Sequence, residues 1–183
     1  MKKDTIIQFI CFATSLELDA FAPNWERFVK RLKNKTTEPS LQQQVPETKN
    51  KYRYVSQHES PDGDFNFRFM NERKSEHFLE QQVRVIQIGG YVCLQFKKRN
   101  DIDDSRVRLI AFVGHNETDI DFYRQIPIDG HLDIYQAYYE SCNYGYVLEF
   151  FIPETDAEDL ILQLKQRLHV EAGIYKEAFV PHL

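Results

Sequence analysis

The chain has 183 residues, which suits one large domain or two small ones and is long enough to bury a substantial core. Its formal net charge of −5 provides no basic surplus to neutralise phosphates, so a general nucleic-acid binder is not expected. Ten tyrosines and fourteen phenylalanines favour β-sheet, because aromatic residues are enriched in strands.

The first predicted element is a β-strand over residues 6–15. The opening stretch MKKDTIIQFICFATSLELDA resembles a signal peptide, but Asp4 follows the lysines, Gln8 interrupts the apolar run, and the run is too short to span a bilayer. The segment QFICFAT is also similar to RLIAFVG at residues 108–114, and both are short, apolar and bounded by polar residues. We therefore predict a buried strand here, with no membrane segment.

The rest of the first half predicts a helix, a loop, two strands, a helix and a strand. Trp25, Phe28, Val29 and Leu32 recur at three- and four-residue spacing, which is typical of an amphipathic helix. Residues 35–50 are polar, contain two prolines and predict an exposed, mobile loop. The remaining elements are a hairpin formed by KYRYVSQHE and DFNFRFM, a short helix in RKSEHFLEQQ and a strand in VRVIQIGGYVCLQF.

The second half follows a charged linker at residues 99–105. RVRLIAFVGH predicts a strand, NETDIDFYRQI a short helix capped by Thr118, and HLDIYQAYYES with GYVLEFFIP a second hairpin. ETDAEDLILQLKQRL is the clearest helix, because acidic residues lie in its first turn and basic ones in its last, while one apolar face is formed by Leu160, Ile161, Leu164 and Leu168. EAGIYKEAFV predicts the last strand.

The two hairpins align at an offset of 81 residues. Tyr54 corresponds to Tyr135, and the Glu-Ser pair that begins at Glu59 corresponds to the pair that begins at Glu140. Both halves also read β-α-β-β-α-β, the ferredoxin-like order. Chance similarity between two aromatic hairpins is the alternative, but the shared element order favours an internal duplication, with halves at residues 1–98 and 106–183.

The segments QFICFATSLELDAF, RYVSQHESPDGDFNFRFMN, HNETDIDFYRQIP and IYQAYYESCNYGYVLEFF together cover much of the chain. Through them the sequence resembles the dimeric α/β-barrel superfamily, and within it a small family of uncharacterised bacterial proteins. The resemblance implies an α+β fold in which two tandem ferredoxin-like halves pack sheet to sheet. The superfamily includes cofactor-independent monooxygenases, haem-degrading enzymes and chlorite-dismutase-like, peroxidase-like and muconolactone-isomerase-like proteins, so the fold alone does not select a reaction.

Metal and cofactor sites have no sequence signature. The three cysteines Cys11, Cys93 and Cys142 form no Cys-x-x-Cys pair, and their odd number argues against a disulfide framework. We therefore expect reduced thiols and a cytoplasmic protein. The six histidines form no zinc-binding motif, so no metal and no cofactor are predicted.

Five residues are candidates for lining a ligand cavity. Strand alternation places Arg68 and Glu149 at equivalent positions of the two hairpins, opposite the face that helices would cover. His58 and His115 lie near strand ends, and Tyr139 is the fifth candidate. Arg68 and Glu149 have two interpretations: a polar feature inside a ligand cavity, or a structural ion pair where the half-sheets meet.

Two functional hypotheses follow. The first is a small-ligand-binding or non-catalytic module with an aromatic-lined cavity between the half-sheets, acting as a monomer or homodimer. The alternative is a cofactor-independent or haem-dependent monooxygenase-like enzyme, so whether the chain is an enzyme stays open. An RNA-binding sheet with exposed aromatics is disfavoured by the acidic charge, and neither nucleic acid nor membrane is an expected partner.

Overall fold

The computed structural model describes residues 6–32, 37–45, 50–60, 83–95, 106–167 and 170–178. Eight strands and three helices lie within these residues. The strands are β1 Ile6–Ala13, β2 Thr37–Gln44, β3 Tyr54–Ser60, β4 Arg84–Gln95, β5 Arg106–Val113, β6 His131–Ala137, β7 Tyr146–Pro153 and β8 Val170–Glu177. The helices are α1 Leu18–Leu32, α2 Ile120–Gln125 and α3 Glu154–Lys165.

The strands join in one closed barrel, in the order β1-β3-β2-β8-β5-β7-β6-β4. This order overturns the predicted fold class. Two separate ferredoxin-like sheets packed face to face would each end in two unpaired edge strands, whereas here β2 is hydrogen-bonded to β8 and β4 to β1. The prediction failed because these pairings join strands that are far apart in sequence, and no local pattern specifies them.

Strand β2 corrects a second expectation. Residues 35–50 were predicted to form an exposed loop, but Thr37–Gln44 pairs antiparallel with β3, and Leu41 and Gln42 are buried. The register shifts between Thr37 and Ser40, around Pro39, which has no amide hydrogen to donate to a strand ladder. The predicted partner of β3, residues 64–70, lies outside the described residues, as does the predicted helix at 73–82.

Packing divides the chain into two compact units. The first comprises Met1–Gln43, Lys51–Gly90 and Glu177–Leu183, and the second comprises Gln44–Asn50 and Tyr91–Lys176. The predicted division into halves at residues 1–98 and 106–183, with a linker at 99–105, stays a prediction.

In the first unit, α1 covers one face of the sheet. Three of its four predicted inward residues, Trp25, Phe28 and Val29, are buried. Phe21 stacks on Tyr54 of β3 with ring centroids 4.1 Å apart and parallel planes. Aromatic packing of this kind contributes beyond the apolar area it buries, so it fixes the helix on the β1–β3 pair.

In the second unit, α3 covers β5 and β7. Leu160, Ile161 and Leu164 are buried as predicted, against alternate side chains of the strands, while Leu168 lies outside the described residues. Helix α2 is capped by Asp119 rather than by the predicted Thr118, since the Asp119 carboxylate accepts a hydrogen bond from the Phe122 amide at 3.2 Å. Side chains alternate along a strand, so every second residue of β5, β6, β7 and β8 packs towards α3. The residues between them point to the opposite face of the sheet.

None of the helices in the described part of the chain is both long and apolar enough to cross a membrane.

Candidate functional site

The sheet face opposite α3, which we call the polar face, carries charged and aromatic side chains in rows set by strand register. The first row consists of Tyr175, Arg108, Phe151 and His131 on β8, β5, β7 and β6. The second row consists of Gly173, Ile110, Glu149 and Asp133 on the same strands. Directly opposite residues point to the same side of a sheet, so the eight residues form one surface.

Arg108 is the central cation of the polar face. Its side chain is only 10% exposed, and its Nε lies 3.2 Å from Oε2 of Glu149. The guanidinium carbon lies 5.1 Å from the centroid of the Phe151 ring, within range of a cation–π interaction. Its Nη1 atom is buried and has no hydrogen-bond partner among the described residues. The guanidinium therefore has donor capacity beyond its contact with Glu149.

Glu149 and Asp133 lie directly opposite each other on β7 and β6. Both side chains are fully buried, so two carboxyl groups share a small volume from which bulk water is excluded. Arg108 offsets the charge of Glu149, because an ion pair limits the free-energy cost of a buried carboxylate. Together the three residues offer a ligand both a donor and acceptors.

Aromatic side chains flank these charges. His131 stacks on Phe151 with ring centroids 4.6 Å apart and an interplanar angle of 22°. Tyr135 and Tyr175 are also buried on this face. At Gly173, an added Cβ would lie 2.9 Å from both Cβ and Nδ2 of Asn50, so the glycine leaves room for the Asn50 side chain to pack against the second row.

His58 lies in the first unit, on the face of β3 that α1 covers. Trp25 Nε1 donates a hydrogen bond to Ser56 Oγ at 2.8 Å, and Ser56 Oγ lies 2.5 Å from His58 Nε2. The Phe28 ring meets the imidazole edge to face at 5.9 Å. Burial lowers the pKa of His58 to about 4, because the charged imidazolium is poorly solvated there. His58 is thus neutral at pH 7 and part of the α1 core.

His115 and Tyr139 both contact the loop of residues 138–145. The His115 Nε2 atom lies 2.6 Å from the Cys142 carbonyl oxygen, and the Cys142 amide donates to the Tyr139 carbonyl at 3.1 Å. Tyr139 meets Tyr138 edge to face, with centroids 4.8 Å apart. The structure therefore places both residues at the loop between β6 and β7, and places Glu149 in the second row of the polar face.

Arg68, the predicted partner of Glu149, lies outside the described residues. Among the described residues, Glu149 pairs with Arg108, which sequence reasoning did not select. A signal for it was present: in RVRLIAFVG and HLDIYQA, polar residues alternate with the apolar residues that α3 covers. Applying to β5 and β6 the alternation used for β7 would have identified Arg108, His131 and Asp133.

A metal centre finds no support in the described part of the chain, where no group of three or more His, Cys, Asp or Glu residues could hold an ion.

No protein-family model and no curated protein sequence matches the chain. Solved structures with a similar fold include a mutant chlorite dismutase from Candidatus Nitrospira defluvii, with a TM-score of 0.55, 6% identity, and coverage of 95% of this chain and 92% of that chain. An anthrone oxidase-like protein has a TM-score of 0.56, 8% identity, and coverage of 97% and 93%. A candidate monooxygenase from Fusobacterium nucleatum subsp. nucleatum has a TM-score of 0.55, 12% identity, and coverage of 97% and 94%.

Identities of 6 to 12% show a shared fold and nothing about shared chemistry. The dimeric α/β-barrel superfamily that the sequence resembles therefore stays a prediction.

Proposed function

We propose that the chain binds a small organic molecule on the polar face, through an acceptor oxygen of the ligand that bonds to Arg108. A carboxylate, a phenolate or a carbonyl oxygen would each serve. Asp133 and Glu149 accept hydrogen bonds from donor groups of the same molecule, and the ring of Phe151 packs against its apolar part.

One observation carries the proposal: Nη1 of Arg108 is buried without a hydrogen-bond partner among the described residues. A buried, unpaired polar group costs about 1–3 kcal/mol, and a charged one costs more. An acceptor oxygen would remove that cost, and a hydrogen bond to a charged donor contributes about 1.5–3 kcal/mol. The geometry therefore favours a ligand that is anionic or strongly polarised at this point.

Isothermal titration calorimetry with sodium benzoate tests the proposal. We expect Arg108→Met to weaken binding at least tenfold, because it removes the guanidinium and keeps an apolar stem. The matched control is Arg124→Met, since Arg124 lies exposed on α2 and pairs there with Asp121. If Arg108→Met does not fold, Arg108→Met/Glu149→Gln removes both charges of the pair. Equal affinity for wild type and variant, or no binding to wild type, overturns the proposal.

A second candidate is a cofactor-independent oxygenase. The observation that favours it is the pair of buried carboxyl groups, Asp133 and Glu149, beside a free guanidinium donor. A carboxylate can take a proton from a bound substrate while Arg108 stabilises the anion that forms. Two structures with a similar fold carry names of oxidative proteins, which is compatible with such chemistry.

The haem-dependent version finds no support in His58 or His115. Nε2 of His58 contacts Ser56 inside the α1 core, and Nε2 of His115 contacts a backbone carbonyl. No step of the proposed chemistry therefore passes through haem.

Dioxygen uptake in the presence of anthrone tests the enzymatic candidate, because anthrone and dioxygen yield anthraquinone and water. We expect wild type to consume dioxygen faster than Asp133→Asn does. A rate equal to that of the uncatalysed reaction for wild type argues against oxygenase activity and leaves the binding proposal intact.

A further inference from the structure

A second concave surface lies on the opposite side of the same sheet, along α3. This α3 groove has a volume of about 260 Å³ and runs between α3 and the segment that joins α2 to β6. Its apolar lining is formed by Ile126, Pro127, Ile128, Ile152 and Leu160. Ile126, Ile152 and Leu160 are buried core residues, so the floor is fixed by packing.

The rim of the α3 groove is acidic. Asp156 and Asp159 are exposed and are the charged residues among those that line it, with Gln163 one turn further along the helix. Asp156 accepts a hydrogen bond from its neighbour Thr155 at 3.0 Å. Neither aspartate forms an ion pair with a described residue, whereas nearby Glu154 pairs with Lys176 at 3.4 Å. Two negative charges that no described residue pairs with thus stand at the mouth of an apolar groove.

We propose that the α3 groove binds a small organic cation with an apolar body, namely an alkylammonium or arylalkylammonium ion. The hydrocarbon part would lie on the Ile152 and Leu160 floor, and the ammonium group would lie between the carboxylates of Asp156 and Asp159. The volume limits the occupant, because typical sites for drug-sized ligands begin at roughly 300 Å³. The groove therefore suits a small amine such as hexylammonium rather than a drug-sized ligand.

Charge complementarity selects a cation over the alternatives. An anion such as hexanoate would be repelled by both aspartates, and a neutral alcohol would gain only the apolar contact. Because the carboxylates are exposed, their attraction is screened by salt and each contributes modestly. This site is independent of Arg108, which lies on the other face of the sheet.

The probe is hexylammonium chloride, compared with hexan-1-ol and sodium hexanoate at low ionic strength. Amide chemical shifts in a ¹H–¹⁵N spectrum report the location of binding. We expect hexylammonium to shift the amides of residues 126–128 and 156–163, to bind several-fold more tightly than hexanol, and to lose affinity in 0.5 M salt. Equal affinity for all three compounds, shifts that map elsewhere, or no binding at millimolar concentrations would each overturn the proposal.

Two substitutions test the rim. Asp156→Asn and Asp159→Asn should each weaken hexylammonium binding about two- to fivefold and leave hexanol binding unchanged. Glu158→Gln is the control, because it removes one negative charge from the same helix at a residue that does not line the groove. An equal loss in all three variants would reveal a general charge effect and refute the site. An arginine-containing pentapeptide that bound more tightly than hexylammonium would refute the small-molecule assignment.

Discussion

Glu117 and Arg167, fifty residues apart in sequence, form a bidentate ion pair with Nε–Oε2 and Nη2–Oε1 distances of 2.8 and 3.0 Å. Tyr123 adds a hydrogen bond to Oε2 at 2.8 Å, and the guanidinium carbon lies 4.1 Å from the centroid of the Phe122 ring. The pair connects the loop after β5 to the end of α3. Both carboxylate oxygens of Glu117 therefore have hydrogen-bond partners.

Glu117→Gln should destabilise the protein at pH 7 and should do so less in acid. The hydrogen bonds from Arg167 lower the pKa of Glu117 to about 2, against 4.5 for the free side chain. A depressed carboxyl pKa means that this stabilisation is present above pH 4.5 and is lost as the pH falls towards 2. In urea unfolding we expect the free energy of unfolding of Glu117→Gln to be about 1–3 kcal/mol below that of wild type at pH 7. This difference should become smaller below pH 4.5.

The control for Glu117 is Asp121→Asn, which breaks the exposed pair with Arg124 and should change stability by about 0.5 kcal/mol or less. If Glu117→Gln lowered the free energy of unfolding by the same amount from pH 7 to pH 3, the stabilisation would not depend on the ionisation of Glu117.

The buried His58 should make the protein lose stability between pH 6.5 and 4. Its pKa is lowered from 6.5 to about 4 by burial, so the unfolded chain binds a proton in this range and the folded chain does not. The group therefore contributes stability that is complete above pH 6.5 and is lost as the pH falls through 4. For one proton, the free energy of unfolding falls by at most about 1.4 kcal/mol for each unit by which the pH decreases.

His58→Gln should remove that slope in urea unfolding measured from pH 7 to pH 4. Phe28→Leu is the matched control, because it perturbs the same contact without removing the titrating group. It should lower stability at every pH and keep the slope. A His58→Gln variant with an unchanged slope would show that another group is responsible.

Arg108 and Glu149 should be strongly coupled in a double-mutant cycle. Removing one partner leaves the other buried without its counter-ion, so Arg108→Gln and Glu149→Gln should each cost about 3–5 kcal/mol. The double variant should cost less than the sum of the single ones by about 0.5–3 kcal/mol. Strict additivity in urea unfolding would mean that the ion pair contributes nothing.

Gly173→Ala should destabilise the second unit. The added methyl would lie 2.9 Å from Cβ of Asn50 and 3.1 Å from Cε2 of Tyr175, and a Cβ atom cannot move without its backbone. Overpacking of this kind costs about 1–3 kcal/mol, which would lower the thermal unfolding midpoint by several degrees. Asn50→Gly removes the two Asn50 atoms that would lie 2.9 Å from the added methyl and leaves the Tyr175 contact, so the double variant should recover part of the loss. If the double variant were no more stable than Gly173→Ala, the contact with Asn50 would not be the cause of the destabilisation.

The sequence was sufficient for the elements of the second half, where each periodicity is strong. Leu160 and Leu164 mark the face of α3 that packs on the sheet, and the alternation in GYVLEFF correctly placed Glu149 on the other face. It was insufficient for β2, whose glutamines and Pro39 are typical of a loop and whose strand structure comes from pairing with β3.

Strand alternation can assign Arg108 to the same face as Glu149, but it cannot pair the two residues. That pairing depends on the register of β5 against β7, which sets Arg108 one row from Glu149. The internal duplication stays a prediction, because no contact among the described residues tests it.

The pairing of β5 has a consequence for how Arg108 meets a ligand. This strand is bonded along its length to β7 and from Arg108 to Val113 to β8, so its amides should be among the slowest in the second unit to exchange with deuterium. A guanidinium anchored on so rigid a strand loses little conformational entropy when it captures a ligand oxygen. Selectivity would then come from the shape of the ligand, because the polar face does not rearrange to fit it.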